Sequence, residues 1–224
     1  MAPNDRDLWA DVDGYICDTL VERDAALDET LRSCEAADLP PISVSPNQGK
    51  LLQLLARMQG AGSILEVGTL VGYSTIWLAR ALPADGQLVT AEVDPQRAAL
   101  AKNNIDAAGL SDRVDIRVGA AAEVLEAMVE RGEGPFDFIF IDADKPNYPL
   151  YLELSIALAR AGTVIIGDNV VRRGELPNDA TTDERVRGVR RFIEMIAADD
   201  RLDATAIQTV GTKGHDGFVL AVVK

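Results

Sequence analysis

Two carboxylates and a carboxamide follow two apolar runs in the second half of the chain. Asp142 comes directly after FIFI, and Asp168 and Asn169 come directly after TVIIG. In an open parallel sheet the ligand binds beyond the carboxyl ends of the strands, so these three side chains are expected to converge. Crowded carboxylates repel each other unless a cation lies between them, and all-oxygen ligands favour Mg²⁺, Mn²⁺ or Ca²⁺ over zinc. The sequence therefore predicts a metal site at Asp142, Asp168 and Asn169.

Lys145 follows Asp142 by three residues. A lysine beside a divalent cation is shifted toward the neutral amine, which accepts a proton from a substrate hydroxyl that the cation acidifies. Lys145 is accordingly the predicted general base. The pattern also leaves a plainer interpretation open. Asp168 and Asn169 are common turn residues, and an aspartate or a lysine after a strand is often simply solvated.

A second candidate site lies in SILEVGTLVGYST, residues 63–75, which predicts a buried strand, a tight turn and a helix. Gly68 and Gly72 allow the sharp turn, and the backbone amides at the helix start face the ligand. The dinucleotide fingerprint G-x-G-x-x-G is absent, because Leu70 stands where its second glycine would be. Glu66 would repel phosphate and attract an ammonium group. S-adenosylmethionine carries an ammonium and a sulfonium and no phosphate. A tight turn of an ordinary α/β domain is the alternative.

The next two predicted strands also end in residues suited to a nucleoside. Glu92 stands about 20 residues past the glycine-rich turn, the spacing at which an acidic side chain meets ribose hydroxyls. Asp94 is a competing candidate, but before Pro95 it is a typical N-cap of the following helix. Residues 119–121 are Gly-Ala-Ala, against which an adenine can lie flat, with a tight helix start as the alternative.

From Ser63 onward, strand and helix patterns alternate, which indicates an α/β fold with buried parallel strands. The predicted strands are ILEV, QLVTAE, RVDIRV, FDFIFID, TVIIGD, DATAIQTV and GFVLAVV. The predicted helices lie near residues 74–82, 95–109, 120–131, 147–160 and 183–199. Asp216-Gly217 predicts a hairpin between the last two strands, so the sheet should end in an antiparallel pair. The single histidine, His215, falls in that predicted turn, away from any triad or zinc set.

Length and charge restrict the class of protein. The chain has 224 residues, which suits one domain over 1–224, with a helical N-terminal arm or lid over 1–45 and a core over 46–224. A packing or dimerising appendage is the alternative for the arm. The formal net charge of −14 argues against a nucleic-acid partner. Without a leader or a long apolar run, we expect a cytoplasmic enzyme with a small-molecule substrate and no membrane partner.

Four segments taken together resemble a known family: EVGTLVGYST, TAEVDP, IDADKPNY and GDNVVRRG. They are similar to the motifs of the class I S-adenosylmethionine-dependent O-methyltransferases, specifically the metal-dependent catechol and caffeoyl-coenzyme A type in its bacterial branch. The resemblance extends over essentially the whole chain, including ISVSPNQGKLL. It implies a Rossmann-like fold with a seven-stranded, mostly parallel sheet, an antiparallel last strand, helices on both faces and extra N-terminal helices. It also implies a homodimer.

The resemblance further implies methyl transfer from S-adenosylmethionine to one hydroxyl of a catechol-like acceptor, with a divalent metal, Mg²⁺ first, as cofactor. By matched position, the residues implied to contact the donor are Val44, Glu66, Gly68, Thr69, Ser74, Glu92, Ala121 and Asp142. Asp142, Asp168 and Asn169 would bind the metal, and Lys145 and Asp142 would be catalytic. An NAD-dependent reductase and a non-catalytic donor-binding module are the alternatives. The aromatic acceptor stays open, as does the role of six arginines between residues 172 and 191, which suit an anionic acceptor or pairing with Asp183 and Glu184.

Overall fold

The computed structural model describes residues 5–224, so Met1–Asn4, the first residues of the expected N-terminal arm, lie outside the described residues. The helices are α1 (Asp5–Leu20), α2 (Ala25–Ala36), α3 (Pro46–Gln59), α4 (Tyr73–Ala79), α5 (Pro95–Ala107), α6 (Ala121–Glu130), α7 (Tyr148–Ala157) and α8 (Glu184–Ala198). The strands are β1 (Ser63–Val67), β2 (Gln87–Glu92), β3 (Val114–Val118), β4 (Phe136–Ile141), β5 (Ala159–Asp168), β6 (Leu202–Gly211) and β7 (Gly214–Val223). None of these eight helices is long and apolar enough to cross a membrane.

The seven strands form one sheet in the order β3-β2-β1-β4-β5-β7-β6. The pairs β1–β2, β2–β3 and β4–β5 are parallel. The last strand, β7, runs antiparallel to both β5 and β6. The predicted mostly parallel sheet with an antiparallel last strand is therefore confirmed. The strands were recognisable because buried parallel strands are continuous apolar runs rather than alternating ones.

The chain divides into two compact units. The first comprises Ile16–Val124 and holds β1, β2 and β3. Its core includes Ile64 and Leu65 of β1 and Ile76 of α4, all fully buried. Burying side chains of this size contributes about 1.5–3 kcal/mol each, so this apolar core holds the turn between β1 and α4 in place. The expectation of a single domain with an arm over 1–45 stays a prediction.

The second unit comprises the described residues up to Tyr15 together with Leu125–Lys224. The rings of Tyr148 and Phe192 meet edge to face in its core, with centroids 5.2 Å apart. Gly188 of α8 lies against the short 3-10 turn at Lys145–Asn147. A Cβ at Gly188 would overlap the carbonyl of Lys145, so α8 packs backbone to backbone on the turn that carries the predicted base.

The predicted position of the last hairpin turn is wrong. Thr212–Lys213 form the turn, whereas Asp216 lies inside β7, opposite Thr209. His215, expected in the turn, accordingly also lies in β7, and its Nε2 is 3.0 Å from the side-chain oxygen of Gln208.

The Asp-Gly pair has a packing role instead of a turning role. A Cβ at Gly217 would overlap the carbonyl of Ile207 and the side chain of Val171, so only glycine fits there. The Asp216 carboxylate accepts hydrogen bonds from the backbone amides of Val171 at 3.1 Å and Arg172 at 3.0 Å. The pair therefore anchors the irregular loop that follows β5.

Candidate active site

Lys145 is the buried cation at the carboxyl end of β4. Its Nζ donates to Asp142 Oδ1 at 3.0 Å and to the Tyr148 hydroxyl at 2.6 Å. The Lys145 side chain is 8% exposed, and that of Asp142 is 23% exposed. Pro146 follows Lys145 in the 3-10 turn, and the turn points the lysine back at the residue that ends the strand. The structure therefore brings the predicted base and one predicted metal ligand into direct contact.

Tyr148 joins the two strand ends and was not predicted as a functional residue. Its fully buried hydroxyl is 2.9 Å from the Ile141 carbonyl and 3.0 Å from the Asp168 carbonyl. Because a phenol carries one proton, the hydroxyl accepts from Lys145 and shares its proton between these two carbonyls. The ends of β4 and β5 and the lysine thus meet at one oxygen. The available sequence signal was the position of this tyrosine, three residues after the lysine in IDADKPNY.

The electrostatic setting keeps Tyr148 a donor. Burial, and then the charges of Asp142 and Asp168, raise the pKa of the Tyr148 hydroxyl well above its ordinary value. A phenol with an ordinary pKa near 10 is already protonated at neutral pH, and the upward shift makes deprotonation still harder. The junction between the two strand ends is therefore stable across the physiological pH range.

Asp168 is the last residue of β5 and Asn169 directly follows it, so both lie at the strand end where the sequence predicts them. Asp168 is 3% exposed, and its Oδ1 accepts the backbone amide of Asn169 at 2.8 Å. Asn169 has φ of 56°, a left-handed conformation that asparagine adopts more readily than most residues. That turn is what directs the chain away from the sheet directly after the predicted ligands.

The donor set suits a hard divalent cation. Asp142 and Asp168 supply carboxylate oxygens and Asn169 supplies an amide oxygen, which are ligands that Mg²⁺ prefers. The Lys145 ammonium already lies against Asp142, so positive charge is accommodated at this position. Residues 5–224 contain no cluster of three or more His, Cys, Asp or Glu side chains arranged to hold a metal ion. The predicted set has two carboxylates, and metal binding there stays a prediction.

The glycine-rich turn between β1 and α4 has the predicted backbone shape. Gly68 and Gly72 have φ of 106° and 85°, and Leu70 between them has φ of 51°. Positive φ is costly for leucine, so the turn needs a fixed partner. Glu92 supplies it, since its Oε2 accepts the Leu70 amide at 2.8 Å and its Oε1 accepts the Asp94 amide at 3.1 Å. The acidic residue predicted to meet a ribose therefore also holds the turn.

Glu66 is fully buried beneath the same turn. Its Oε2 accepts the hydroxyls of Thr75 at 2.5 Å and Thr90 at 2.8 Å. Thr69 lies 2.6 Å from the Thr90 hydroxyl. Since Thr90 gives its one proton to Glu66, Thr69 must donate to Thr90. The carboxylate thus ties β1, β2 and α4 together, and its contact with a donor ammonium group stays a prediction.

The remaining predicted donor contacts differ in exposure. Val44 is 6% exposed just ahead of α3, whereas Gly68, Ser74 and Ala121 are partly exposed. The role of these four residues in donor binding stays a prediction. Asp94 is confirmed as the N-cap of α5, because its side chain accepts the first free backbone amides of that helix.

Comparison with known proteins identifies the family. The sequence model of the O-methyltransferase family matches residues 18–222. A catechol O-methyltransferase of Niastella koreensis is 52% identical over 217 residues, which cover 97% of this chain and 98% of that protein. An O-methyltransferase structure from Bacillus cereus in complex with SAH is 54% identical with a TM-score of 0.96, covering 98% of this chain and 100% of that one.

A second solved structure contains the methyl donor. The O-methyltransferase TomG from Streptomyces achromogenes, involved in tomaymycin synthesis and in complex with SAM, is 45% identical with a TM-score of 0.96. The match covers 99% of this chain and 100% of TomG. These relatives decide between the methyltransferase and the reductase that the sequence had left as an alternative. The chain belongs to the family of class I S-adenosylmethionine-dependent O-methyltransferases.

Proposed function

We propose that this enzyme methylates one hydroxyl of a vicinal aromatic diol and uses a divalent metal, with Mg²⁺ as the first candidate. The observation that carries the proposal is the hydrogen-bonded group of Asp142, Lys145 and Tyr148 at the ends of β4 and β5. The catechol O-methyltransferase name of the 52% identical relative supports the same substrate class.

Asp142, Asp168 and Asn169 would hold the metal. A bound divalent cation would acidify a neighbouring hydroxyl and fix the orientation of a diol. The chain's own contribution is the placement of these ligands. Tyr148 links the carbonyl before Asp142 to the carbonyl of Asp168, which restrains the distance between the two carboxylates.

A bound divalent cation would favour the neutral amine of Lys145, and in that form Lys145 would accept the proton of the reacting hydroxyl. The oxygen then attacks the methyl carbon, an O–C bond forms, the S–C bond breaks, and its electron pair stays on the sulfur of the released thioether. A proton acceptor is needed because a phenol with pKa near 10 is mostly protonated at neutral pH. The contacts of Lys145 with Asp142 and Tyr148 fix its amine in one place, so the geometry for proton transfer is set before the substrate binds.

The donor would bind at the turn between β1 and α4. Each oxygen of the Glu92 carboxylate accepts one backbone amide and retains acceptor capacity for a ribose hydroxyl. Glu66 supplies negative charge beneath the turn, which favours the ammonium and sulfonium groups of S-adenosylmethionine. The other proposed donor contacts are Val44, Gly68, Thr69, Ser74, Ala121 and Asp142.

A second copy of the chain is the proposed partner. Leu8, Val12 and Tyr15 lie along one face of α1 and are each about half exposed or more, and Ile207 and Val210 of β6 are half exposed as well. Exposed apolar side chains concentrated on an edge strand and a helix are typical of a protein interface. Val210→Asp is expected to lower the mass measured by analytical ultracentrifugation from dimer to monomer. An unchanged mass, or a wild-type monomer, contradicts the proposal.

The direct test is an activity screen. Purified enzyme, S-adenosylmethionine and Mg²⁺ are incubated with vicinal-diol aromatics, flavonoids and hydroxycinnamoyl thioesters, and methylated products are read by mass. We expect singly methylated diols, loss of activity in a chelator and recovery with Mg²⁺. Full turnover in the chelator contradicts the metal role, and no methylated diol contradicts the substrate class.

Two matched variants sharpen the metal test. Asp142→Asn removes a proposed ligand charge, whereas Asp144→Asn removes the charge of an exposed neighbour whose carboxylate contacts Tyr151. We expect only Asp142→Asn to abolish the response of activity and of thermal stability to added Mg²⁺. Equal responses in the two variants would remove Asp142 from the metal site.

A further inference from the structure

The arginines between residues 172 and 191 separate into two kinds. Three of them pair with acids: Arg185 with Asp183 at 2.9 Å, Arg187 with Glu184 at 2.8 Å, and Arg191 with Glu194 at 3.8 Å. Arg190 donates to the Leu176 carbonyl at 2.6 Å. Arg172 and Arg173 form no ion pair with any residue of the described part of the chain. Arg172 and Arg173, which follow β5 by four and five residues, are thus the arginines of this segment without an ion pair or a carbonyl acceptor among residues 5–224. The pKa of Asp183 is lowered chiefly by its hydrogen bond with Arg185, and the charge of Arg172 also acts to lower it.

Arg172 differs from Arg173 in burial. Arg173 is exposed, as a solvated arginine normally is. Arg172 is half-buried, and its Nε is buried with no hydrogen-bond partner among residues 5–224. A buried charged donor without an acceptor costs more than an ordinary unmade hydrogen bond, so a group from outside the chain is the expected partner.

The backbone holds Arg172 in a costly conformation. Arg172 and Arg173 have φ of 54° and 59°, where residues with a Cβ are disfavoured. The Asp216 carboxylate fixes the segment by accepting the amides of Val171 and Arg172. Backbone strain of this kind persists where the surrounding contacts hold the residue in place, and it is found most often at ligand sites. The backbone position of Arg172 is therefore imposed by the fold.

Arg172 also lies near the proposed acceptor site in the same unit. It follows Asn169, a proposed metal ligand, by three residues. Asp216, which accepts the Arg172 amide, stands two residues before Phe218, the residue that pairs with Asp168 in the sheet.

We propose that Arg172 binds a carboxylate carried on the ring of the acceptor diol, and the inference rests on the proposed function. A guanidinium presents parallel N–H groups that match a carboxylate, and the unpartnered Nε is one of them. The chain has a formal net charge of −14, so an anionic acceptor needs a local cation to bind. Arg172 is that cation, and it makes the enzyme selective for diols with an acidic substituent.

The test compares two diols that differ in one charge. Protocatechuate carries a ring carboxylate, and its methyl ester does not. For the wild type we expect kcat/KM to favour protocatechuate by about tenfold to a hundredfold. Arg172→Gln should abolish that preference by lowering kcat/KM for protocatechuate alone. Arg172→Lys should restore part of it, and Arg173→Ala, the matched control with the same backbone conformation, should keep it.

Several results would overturn the inference while leaving the proposed function intact. They are equal use of both diols by the wild type, an unchanged preference in Arg172→Gln, or an equal loss in Arg173→Ala. Failure to methylate either diol would instead contradict the proposed function. A binding measurement needs no variant: calorimetry with Mg²⁺ and SAH should show tighter binding of vanillate than of its methyl ester. Equal binding would overturn the inference even if the Arg172 variants do not fold.

Discussion

Carboxylates lie at the turn after β1 and at the ends of β4 and β5. The groups that donate hydrogen bonds to these carboxylates differ between the two regions. Around Glu66 and Glu92 the hydrogen bonds come from neutral threonine hydroxyls and backbone amides. Around Asp142 they come from an ammonium, which a buried phenol holds in place. The first group fastens secondary structure, and the second holds the proposed base. We therefore expect substitutions in the first to change stability and donor binding, and substitutions in the second to change turnover.

The largest expected effect is at Lys145. Lys145→Ala removes the proposed proton acceptor, so kcat should fall by about a hundredfold to ten-thousandfold. The Kd for S-adenosylmethionine should stay nearly unchanged, because Lys145 itself is not among the proposed donor contacts. Steady-state kinetics and calorimetry measure the two quantities. Lys102→Ala, which removes an exposed lysine paired with Asp106, is the control. Unchanged turnover in Lys145→Ala would remove this lysine from the mechanism.

Tyr148→Phe should have the next largest effect. It deletes the hydroxyl that joins Lys145 to the ends of β4 and β5, so we expect kcat to fall by about tenfold to a hundredfold. The Mg²⁺ concentration for half-maximal activity should also rise. Tyr151→Phe is the matched control, because that hydroxyl contacts Asp144. Equal losses in both variants would mean that Tyr148 has only a packing role.

Glu66→Gln tests the other polar group through stability. The neutral amide accepts weaker hydrogen bonds from the threonine hydroxyls than the carboxylate does, so the free energy of unfolding should fall by about 1–3 kcal/mol. Urea denaturation without ligands measures it, and Glu123→Gln, an exposed acid on α6, is the control. The kcat at saturating donor should fall less than in Tyr148→Phe. A larger loss of kcat with unchanged stability would contradict the distinction between the two groups.

Asp94→Ala should have the smallest effect. It removes the N-cap of α5 and should lower the free energy of unfolding by about 1 kcal/mol without changing the Kd for the donor. Glu92→Gln, by contrast, should weaken donor binding. Calorimetry with S-adenosylmethionine compares the two variants. Weaker donor binding in Asp94→Ala than in Glu92→Gln would reverse their proposed roles.

Local patterns were sufficient to predict most of the elements. The strand QLVTAE has the predicted bounds, and Asp94-Pro95 marks the start of α5 because capping depends on residues close in sequence. The prediction from Asp216-Gly217 was wrong for the converse reason. The pair is a frequent turn sequence, but here Gly217 permits contact with Ile207 and Val171, which are far away in the chain.

The sequence predicts which residue types lie at the candidate site, but only some of the contacts between them. Strand ends identify Asp142 and Asp168, because a parallel sheet brings such positions to one edge. The role of Tyr148 depends on two carbonyls from different strands and on its own burial, which no sequence spacing encodes. The sequence alone did not distinguish among the arginines after residue 171. The observed ion pairs separate Arg172 and Arg173 from three of the others, and the buried Nε separates Arg172 from Arg173.

The anchoring of the segment after β5 by Asp216 has a practical consequence for redesign. One carboxylate oxygen, supplied by a different strand, holds the start of that segment, so its position does not depend on the side chains that follow. Libraries that randomise residues 172–182 to change the acceptor should therefore keep Asp216 and Gly217 constant. Varying those two positions together with the loop would confound changes in selectivity with displacement of the whole segment.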